Sequence, residues 1–293
     1  MSNDGKQETG NGEKSLLLFQ LGPVQEFIAQ ARSTRDLWSG SYILSWLMAH
    51  AIVAVSEKGA ETVLPAPGLE SNPLVAALQE PGRLADPSQA LISNLPNRCL
   101  LLVPSGREIE IATAAKAAIC DELKRMGDAV WQWLKDKRAN PSWKECWDAQ
   151  IAAFPQIAWA WTAWKQGEPW QEAYQRVGAD LAARRNTRDF AQWPSGGAGV
   201  RKDSLSGKEE VIGTEQFWAD LRNRERSLFK TQGHAYGAMN LIKRLWVHVD
   251  NADDADYLAS ALHVFEKKVW DSLRVASLPD IAKKNETKNK LGG

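Results

Sequence analysis

LLLFQLGPVQEFIAQARSTRDLWSGSYILSWLMAHAIVAV, running from Leu16 to Val55, is the stretch around which the fold is organised. Leu16, Leu17, Leu18, Phe19 and Leu21 form a short, nearly continuous apolar run, which suits a strand buried on both faces better than a helix of that length. Gly22 and Pro23 stop it, because glycine permits a sharp reversal and proline has its φ already set for the start of a helix. A strand, a tight turn that calls for glycine at position 22, and a helix follow from this pattern. The arrangement leaves the backbone N–H groups of Val24, Gln25 and Glu26 free at a helix N-terminus, where an anion such as phosphate can be held.

Val24, Phe27, Ile28 and Ala31 make one face of that first helix, and Ser33, Thr34 and Asp36 then signal a new start. Leu37, Ile43, Leu44, Leu47, Met48 and Ile52 recur at helical spacing, so the second helix lays a broad apolar stripe on the sheet. Ser39, Gly40 and Ser41 interrupt it near its first turns. Two readings of this small-residue triplet stand: close helix packing, or approach of a ligand to the backbone beside the Gly22 turn.

Outward from this stretch, the 293 residues allow two modest domains with real cores. Lysine plus arginine equals aspartate plus glutamate at 36 each, so no global charge drives the chain onto nucleic acid or membrane, and any such binding must be local. Three cysteines, Cys99, Cys120 and Cys146, lack the close spacing of a zinc site and the even count of a disulfide framework, which reads as reduced thiols in a cytoplasmic protein. No signal peptide opens the sequence and no apolar run reaches the roughly 18 residues of a membrane span, so the expectation is a soluble protein without a membrane partner.

Between Glu61 and Asn97 repeated prolines break any long element, with Glu61–Leu64 as one short strand. Cys99–Val103 is a second buried strand, and Ile109 through Leu134 keep the spacing of a long helix. Asn140 and Pro141 restart a helix as cap and first residue. Ile157, Trp159 and Trp161 then alternate with Ala158, Ala160 and Thr162, the period of a strand with a bulky face and a small face on which helices pack closely. Of fourteen tryptophans, Trp131, Trp159 and Trp161 are expected in the core, while Trp143, Trp147, Trp164 and Trp170 are not assigned. The fold class is α+β: a ferredoxin-like domain over residues 15–168, a mainly helical domain over 169–280, and polar tails at 1–14 and 281–293.

The second half is more basic. Arg184, Arg185, Arg188, Arg201 and Lys202 crowd around an NTRDF turn and the loop PSGGAGV, and either hold RNA phosphates by charge or form a solvated helix end. Gly196, Gly197 and Gly199 read as a flexible linker, since no GK[ST] follows. Phe217, Leu221, Leu228 and Phe229 continue an amphipathic pattern, GAMNLIKRLW forms a further packed helix, and Tyr257 to Trp270 form the last.

GPVQEFIAQARSTRDLWSGSYILSWL, followed in order by LPNRCLLLVP, LAARRNTRDF, KDSLSGKEEVIG, GAMNLIKRLW and SLPDIA, resembles the N-terminal part of the large palm-domain subunit of type III-B (Cmr-type) CRISPR effector complexes. The resemblance runs from Leu16 to Ala282 and implies a palm-like domain, other complex subunits as partners, and guide and target RNA met through the complex. The strand, turn and helix N-terminus, with the small-residue triplet beside them, add the expectation of half of a nucleotide site, with Gly22, Pro23, Val24, Gln25, Ser39, Gly40 and Ser41 as candidates and ATP as the ligand when a partner domain completes the site. Arg184, Arg185 and Arg188 are the candidate RNA-contacting residues. In many relatives KDSLSGKEEVIG carries a C-x-x-C half of a zinc site. Asp203 and Ser206 stand there instead, so the knuckle is expected to fold without metal.

The catalytic motifs of such subunits are missing. The four histidines, His50, His234, His248 and His263, include no His-Asp pair of the nuclease kind. No GGDD, the motif whose carboxylates hold metal on triphosphates, is present, because Gly196 and Gly197 precede Ala198, and Asp253 and Asp254 follow no glycines. Two functions from different classes remain: a non-catalytic subunit portion that scaffolds the complex, or an enzyme half that makes cyclic oligoadenylates from ATP when a GGDD-bearing chain docks. A free nucleotide-binding module is the third and blandest. The polar C-terminal end, where relatives continue, is read as the mark of a truncated or split product.

Overall fold

The computed structural model describes residues 13–65, 69, 72–79, 92–165, 167–187, 200–229, 233–246 and 249. Its centre is β1 (Lys14–Gly22), flanked by β3 (Arg98–Pro104) and β4 (Gln156–Trp164), with the short β2 (Glu61–Leu64) beyond β3. The four strands make one antiparallel sheet in the order β2-β3-β1-β4. Leu18 sits opposite both Leu100 and Ala160. The apolar run of β1 is explained by this position, because helices cover both faces of the sheet. Leu17, Phe19 and Leu21 enter the main core, while Leu16 and Leu18 enter a second cluster on the other side.

The main face carries α2 (Thr34–Ser56) and α4 (Glu108–Asp136). The Asp36 N–H donates to the Ser33 hydroxyl at 3.1 Å, so Ser33 caps α2 as the sequence anticipates. The helix then runs 23 residues without a break, and Ser39, Gly40 and Ser41 do not interrupt it. Its length and composition would suffice to cross a membrane, yet most of it is buried among Leu47, Met48, Ile52 and their core neighbours, as in the central helix of a globular core. In α4, Gly127 lies where a Cβ would collide with the Ile151 side chain of α5 (Lys144–Ala153), so glycine there lets two helices close together.

On the opposite face α6 (Trp170–Asn186) sets Ala173, Val177 and Leu181 against Leu16, Leu18 and Ala160. This is the small face of β4, read from its alternation. On the bulky face Trp159 stacks with Phe19 at 6.4 Å between centroids. Trp161, expected in the core, is 41% exposed, because β4 is an edge strand and the helix layer does not extend over that end. Trp131 and Trp147 are buried, whereas Trp164 and Trp170 are exposed.

The boundary expected near residue 169 is crossed by packing. Besides α6 on the sheet, α7 (Glu215–Arg224) and α8 (Ala238–Leu245) bring Trp218, Leu241 and Leu245 into the same hydrophobic cluster as Leu17, Trp46 and Val130. Arg188, the 196–199 glycine loop and the helix expected over 257–270 lie outside the described residues.

Candidate functional site

GAMNLIKRLW reads as a packed helix, but its two cations make it more than that. In α8 Lys243 is 1% exposed and Arg244 7%, although helices usually turn such residues to water. Each end of α8 is tied to a different part of the chain. At its start, Gly237 N–H donates to Asp203 Oδ2 at 2.6 Å and Ala238 N–H to Gln150 Oε1 at 2.7 Å, satisfying donors that a helix leaves free. Asn240 Nδ2 donates to Asp203 Oδ1 at 3.1 Å and to Gln30 Oε1 at 3.2 Å.

Toward its end, Lys243 Nζ donates to the backbone carbonyls of Phe27 and Gln30, where α1 (Gln25–Ala29) finishes, and lies 4.4 Å from the Phe27 ring centroid. Arg244 pairs with Asp36 and donates to Tyr236 Oη at 2.8 Å. Burial works against ionisation of Asp36. The Arg244 guanidinium, the Arg32 amide and Arg35 outweigh it and hold the carboxyl below the usual range. For Lys243 burial wins, and the ammonium is pushed down to about 8.

This anchoring settles where the small-residue triplet sits. Ser39 is fully buried, donating to the Lys243 carbonyl and accepting from Trp246 Nε1. A Cβ on Gly40 would lie 3.1 Å from Lys243 Cδ and 3.5 Å from Ile28 Cα, so α1 and α8 both close on this glycine. Both residues take the packing role of the two readings. Ser41 is half-buried and shares a 2.8 Å hydroxyl contact with Ser93.

Gly22, Pro23 and Val24 are half-buried and Gln25 is exposed at the end of β1. Gly22 pairs with Gln156 as the last strand residue, and a Cβ there would meet Gln156 at 3.5 Å, an ordinary contact. The expectation that this turn demands glycine is corrected: its backbone is not left-handed, which is where a side chain would be strained. The helix behind it has five residues and no side-chain cap, so few aligned peptide dipoles back its free N–H groups. Beyond Gln25 the chain turns back toward the triplet, since Ile28 Cα of α1 lies 3.5 Å from where a Cβ on Gly40 would stand.

The knuckle around Asp203 has a carboxylate at its centre. Leu205 N–H and Ser206 N–H donate to Asp203 Oδ1 at 2.7 and 2.8 Å, Lys202 bridges Glu210 across the loop, and Oδ2 takes the Gly237 N–H. One charged acceptor gathers the loop and the start of α8, a task suited to charge-assisted hydrogen bonds. Among the described residues no group of three or more His, Cys, Asp or Glu could hold a metal ion.

Arg184 and Arg185 are exposed in the last turn of α6, where cations complement the helix dipole, and Arg184 turns back to Thr187 Oγ1 at 3.2 Å. Arg188 lies outside the described residues. Sequence reasoning missed Asp36, Lys243, Arg244 and Asn240. The signal available was a lysine-arginine pair inside an eight-residue helix whose other residues, Asn240 apart, are apolar.

Residues 16–128 match the family model described as CRISPR-associated protein Cmr2, N-terminal. The CRISPR system Cmr subunit Cmr2 of Pyrococcus furiosus is 35% identical over 123 residues, which make up 41% of this chain and 14% of that protein. A type III-B Cmr-beta structure in the apo state shares the fold with a TM-score of 0.60 at 13% identity, over 96% of this chain and 37% of the other. Cmr-beta bound to cognate target RNA gives 0.55 at 14% identity, over 98% and 38%. The chain therefore spans well under half of each relative. Over residues 16–128 the chain is similar in sequence to the N-terminal part of the Cmr2 subunit of CRISPR Cmr systems, and over nearly its whole length it shares the fold of type III-B Cmr-beta structures.

Proposed function

We propose that this chain serves as the N-terminal portion of the large subunit of a type III-B RNA-guided antiviral complex, acting as a scaffold and catalysing nothing by itself. The observation that carries this reading is where the family match falls: residues 16–128 span β1, α2, β2 and β3 and reach into α4, three of the four strands and the helix layer over them. The order β2-β3-β1-β4, antiparallel throughout with α2 and α4 on one face, supports assigning the sheet to a ferredoxin-like palm. The α6 layer on the second face is an addition to that motif.

Its partners are the other subunits of such a complex in the cytoplasm, with guide and target RNA reached through the assembly. The likeness to a Cmr-beta structure bound to target RNA supports this. The chain supplies half of a nucleotide site from Gly22, Pro23, Val24, Gln25 and Ser41, with Ser39 and Gly40 bracing that face from behind through Trp246 and Lys243. A second domain supplies the carboxylates that hold metal on a triphosphate. Co-expression with the remaining subunits and guide RNA, followed by size-exclusion chromatography, tests the reading. Co-elution with the assembled complex is expected, and separate elution while the remaining subunits assemble would overturn it.

A further inference from the structure

The chain has equal numbers of cationic and anionic side chains, so a charged function must come from their placement. They are not evenly placed around the loop at residues 233–236, which leads into α8 and lies against the knuckle. Ser204 and Ala235 hold this loop to the knuckle with hydrogen bonds of 2.9 and 3.0 Å. Arg201 donates to the Gly233 carbonyl and pairs with Glu215, and Arg222 donates to the His234 carbonyl at 3.0 Å. The His234 ring lies 3.4 Å from Tyr236 Oη, which takes a hydrogen bond from Arg244. Arg244 pairs with Asp36, and the same carboxylate accepts the Arg32 N–H at 3.2 Å. Four segments of the chain, the α1–α2 connection, the knuckle, α7 and α8, thus bring arginines to one place.

The charges do not cancel there. Asp36 answers Arg244, and Glu215, itself exposed, answers Arg201. Among the described residues no carboxylate lies within ion-pair distance of the Arg32 or Arg222 guanidinium, Asp36 meeting only the Arg32 backbone N–H, and the Arg32 residue is exposed. His234 registers the excess: after burial, Arg32, Arg244, Arg201 and Arg222 all hold its imidazole below the ordinary range.

We infer that Arg32, Arg201 and Arg222, grouped around the loop at His234, form a surface that contacts the phosphates of single-stranded RNA. The inference rests on the reading above that RNA is a partner, and it places the contact away from α6. Guanidinium forks suit the oxygens of a phosphate. The residues that frame the surface, Arg201, Ser204, Arg222, Gly233 and His234, are polar, which fits a phosphate backbone better than the apolar centre of a protein interface. Arg184 and Arg185, by contrast, stand at a solvated helix end with Arg184 engaged by Thr187.

The test is fluorescence anisotropy of a labelled single-stranded RNA with the full chain over a series of salt concentrations. Each phosphate contact contributes about 0.7 to the slope of log affinity against log salt on a single strand. Arg32→Ala should make the slope shallower by about 0.7, and Arg32→Ala with Arg222→Ala by about 1.4. Circular dichroism checks the fold of each, and Arg32→Ala, at an exposed side chain, guards against a folding defect in the double variant. An unchanged slope in both would overturn the inference. A slope reduced only by Arg184→Ala with Arg185→Ala would move the contact to α6 and overturn it while leaving RNA as a partner. Absence of any salt-dependent binding would overturn it too, and co-elution with the complex would then show that the scaffold reading still stands. Loss of co-elution in Arg32→Ala without a change in slope would assign the surface to an acidic protein partner and overturn it.

Discussion

Arg244 and Asp36 lie 208 positions apart in the chain and form a buried ion pair, with Arg244 Nη2 2.5 Å from Asp36 Oδ2. The contact joins α8 to the first turn of α2. Because the carboxylate also accepts the Arg32 amide, it holds the connection between α1 and α2 in place as well.

Removing one partner of a buried pair is worse than removing both, because the survivor remains charged in a poor solvent. Asp36→Ala should cost about 3–5 kcal/mol in urea denaturation, and Asp36→Ala with Arg244→Met clearly less than the sum of the single changes. Additive losses would show that the pair is not energetically coupled. The folded carboxyl is held low, so its contribution is full above the ordinary carboxylate range and fades as pH falls through the lowered value.

Lys243 gives the opposite dependence. Burial brings its folded value to about 8, whereas an unfolded lysine titrates near 10.4, so between the two the unfolded chain holds more protons and stability rises with pH. Relative to Lys243→Met, the parent chain should gain about 1 kcal/mol between pH ~7 and ~9. Comparing the two proteins cancels the other titrating groups. A constant difference across that range would mean that the amine stays as easily protonated as in water.

Asp203 collects hydrogen bonds from Leu205, Ser206, Gly237 and Asn240, so Asp203→Ala should cost at least about 1–3 kcal/mol by leaving buried donors unmet. Chelator should leave the melting temperature of the parent chain unchanged. Near-stoichiometric zinc in the purified protein, or a large drop in melting temperature with chelator, would contradict a knuckle organised by a carboxylate.

Serine-to-alanine changes separate packing from ligand contact on α2. Ser39→Ala removes two buried hydrogen bonds and should cost about 1–3 kcal/mol, while Ser41→Ala, half-buried, should stay within about 1 kcal/mol. The isolated chain should bind ATP weakly and form no cyclic product, and product formation would sink the non-catalytic reading. With a GGDD-bearing partner docked, calorimetry should show weaker ATP binding for Ser41→Ala. Unchanged affinity would remove Ser41 from the proposed site.

Much of the fold is legible in local patterns. The run at Leu16–Leu21 marks a strand with two covered faces, Ser33 before Thr34 marks a helix start, and the tryptophan-alanine alternation of β4 names the face on which α6 lies. Each of these depends on a few neighbouring residues and on the fixed periods of strand and helix, which any window of sequence displays. The candidate site is less legible. Alternation alone does not reveal that Trp161 sits where an edge strand runs past its helix layer, nor that the turn at Gly22 leaves room for a side chain.

What the amino-acid sequence by itself determined was the order and type of the main elements, the missing catalytic motifs, and the family likeness carried by GPVQEFIAQARSTRDLWSGSYILSWL. Only the tertiary structure decided that Ser39 and Gly40 pack beneath α8, that Lys243 caps the end of α1, and that Arg32, Arg201 and Arg222 gather at one loop. The physical reason is the range of the forces involved. Periodicity is written along the chain, but a buried charge is stable only beside its partner, and here the partners are more than two hundred residues apart.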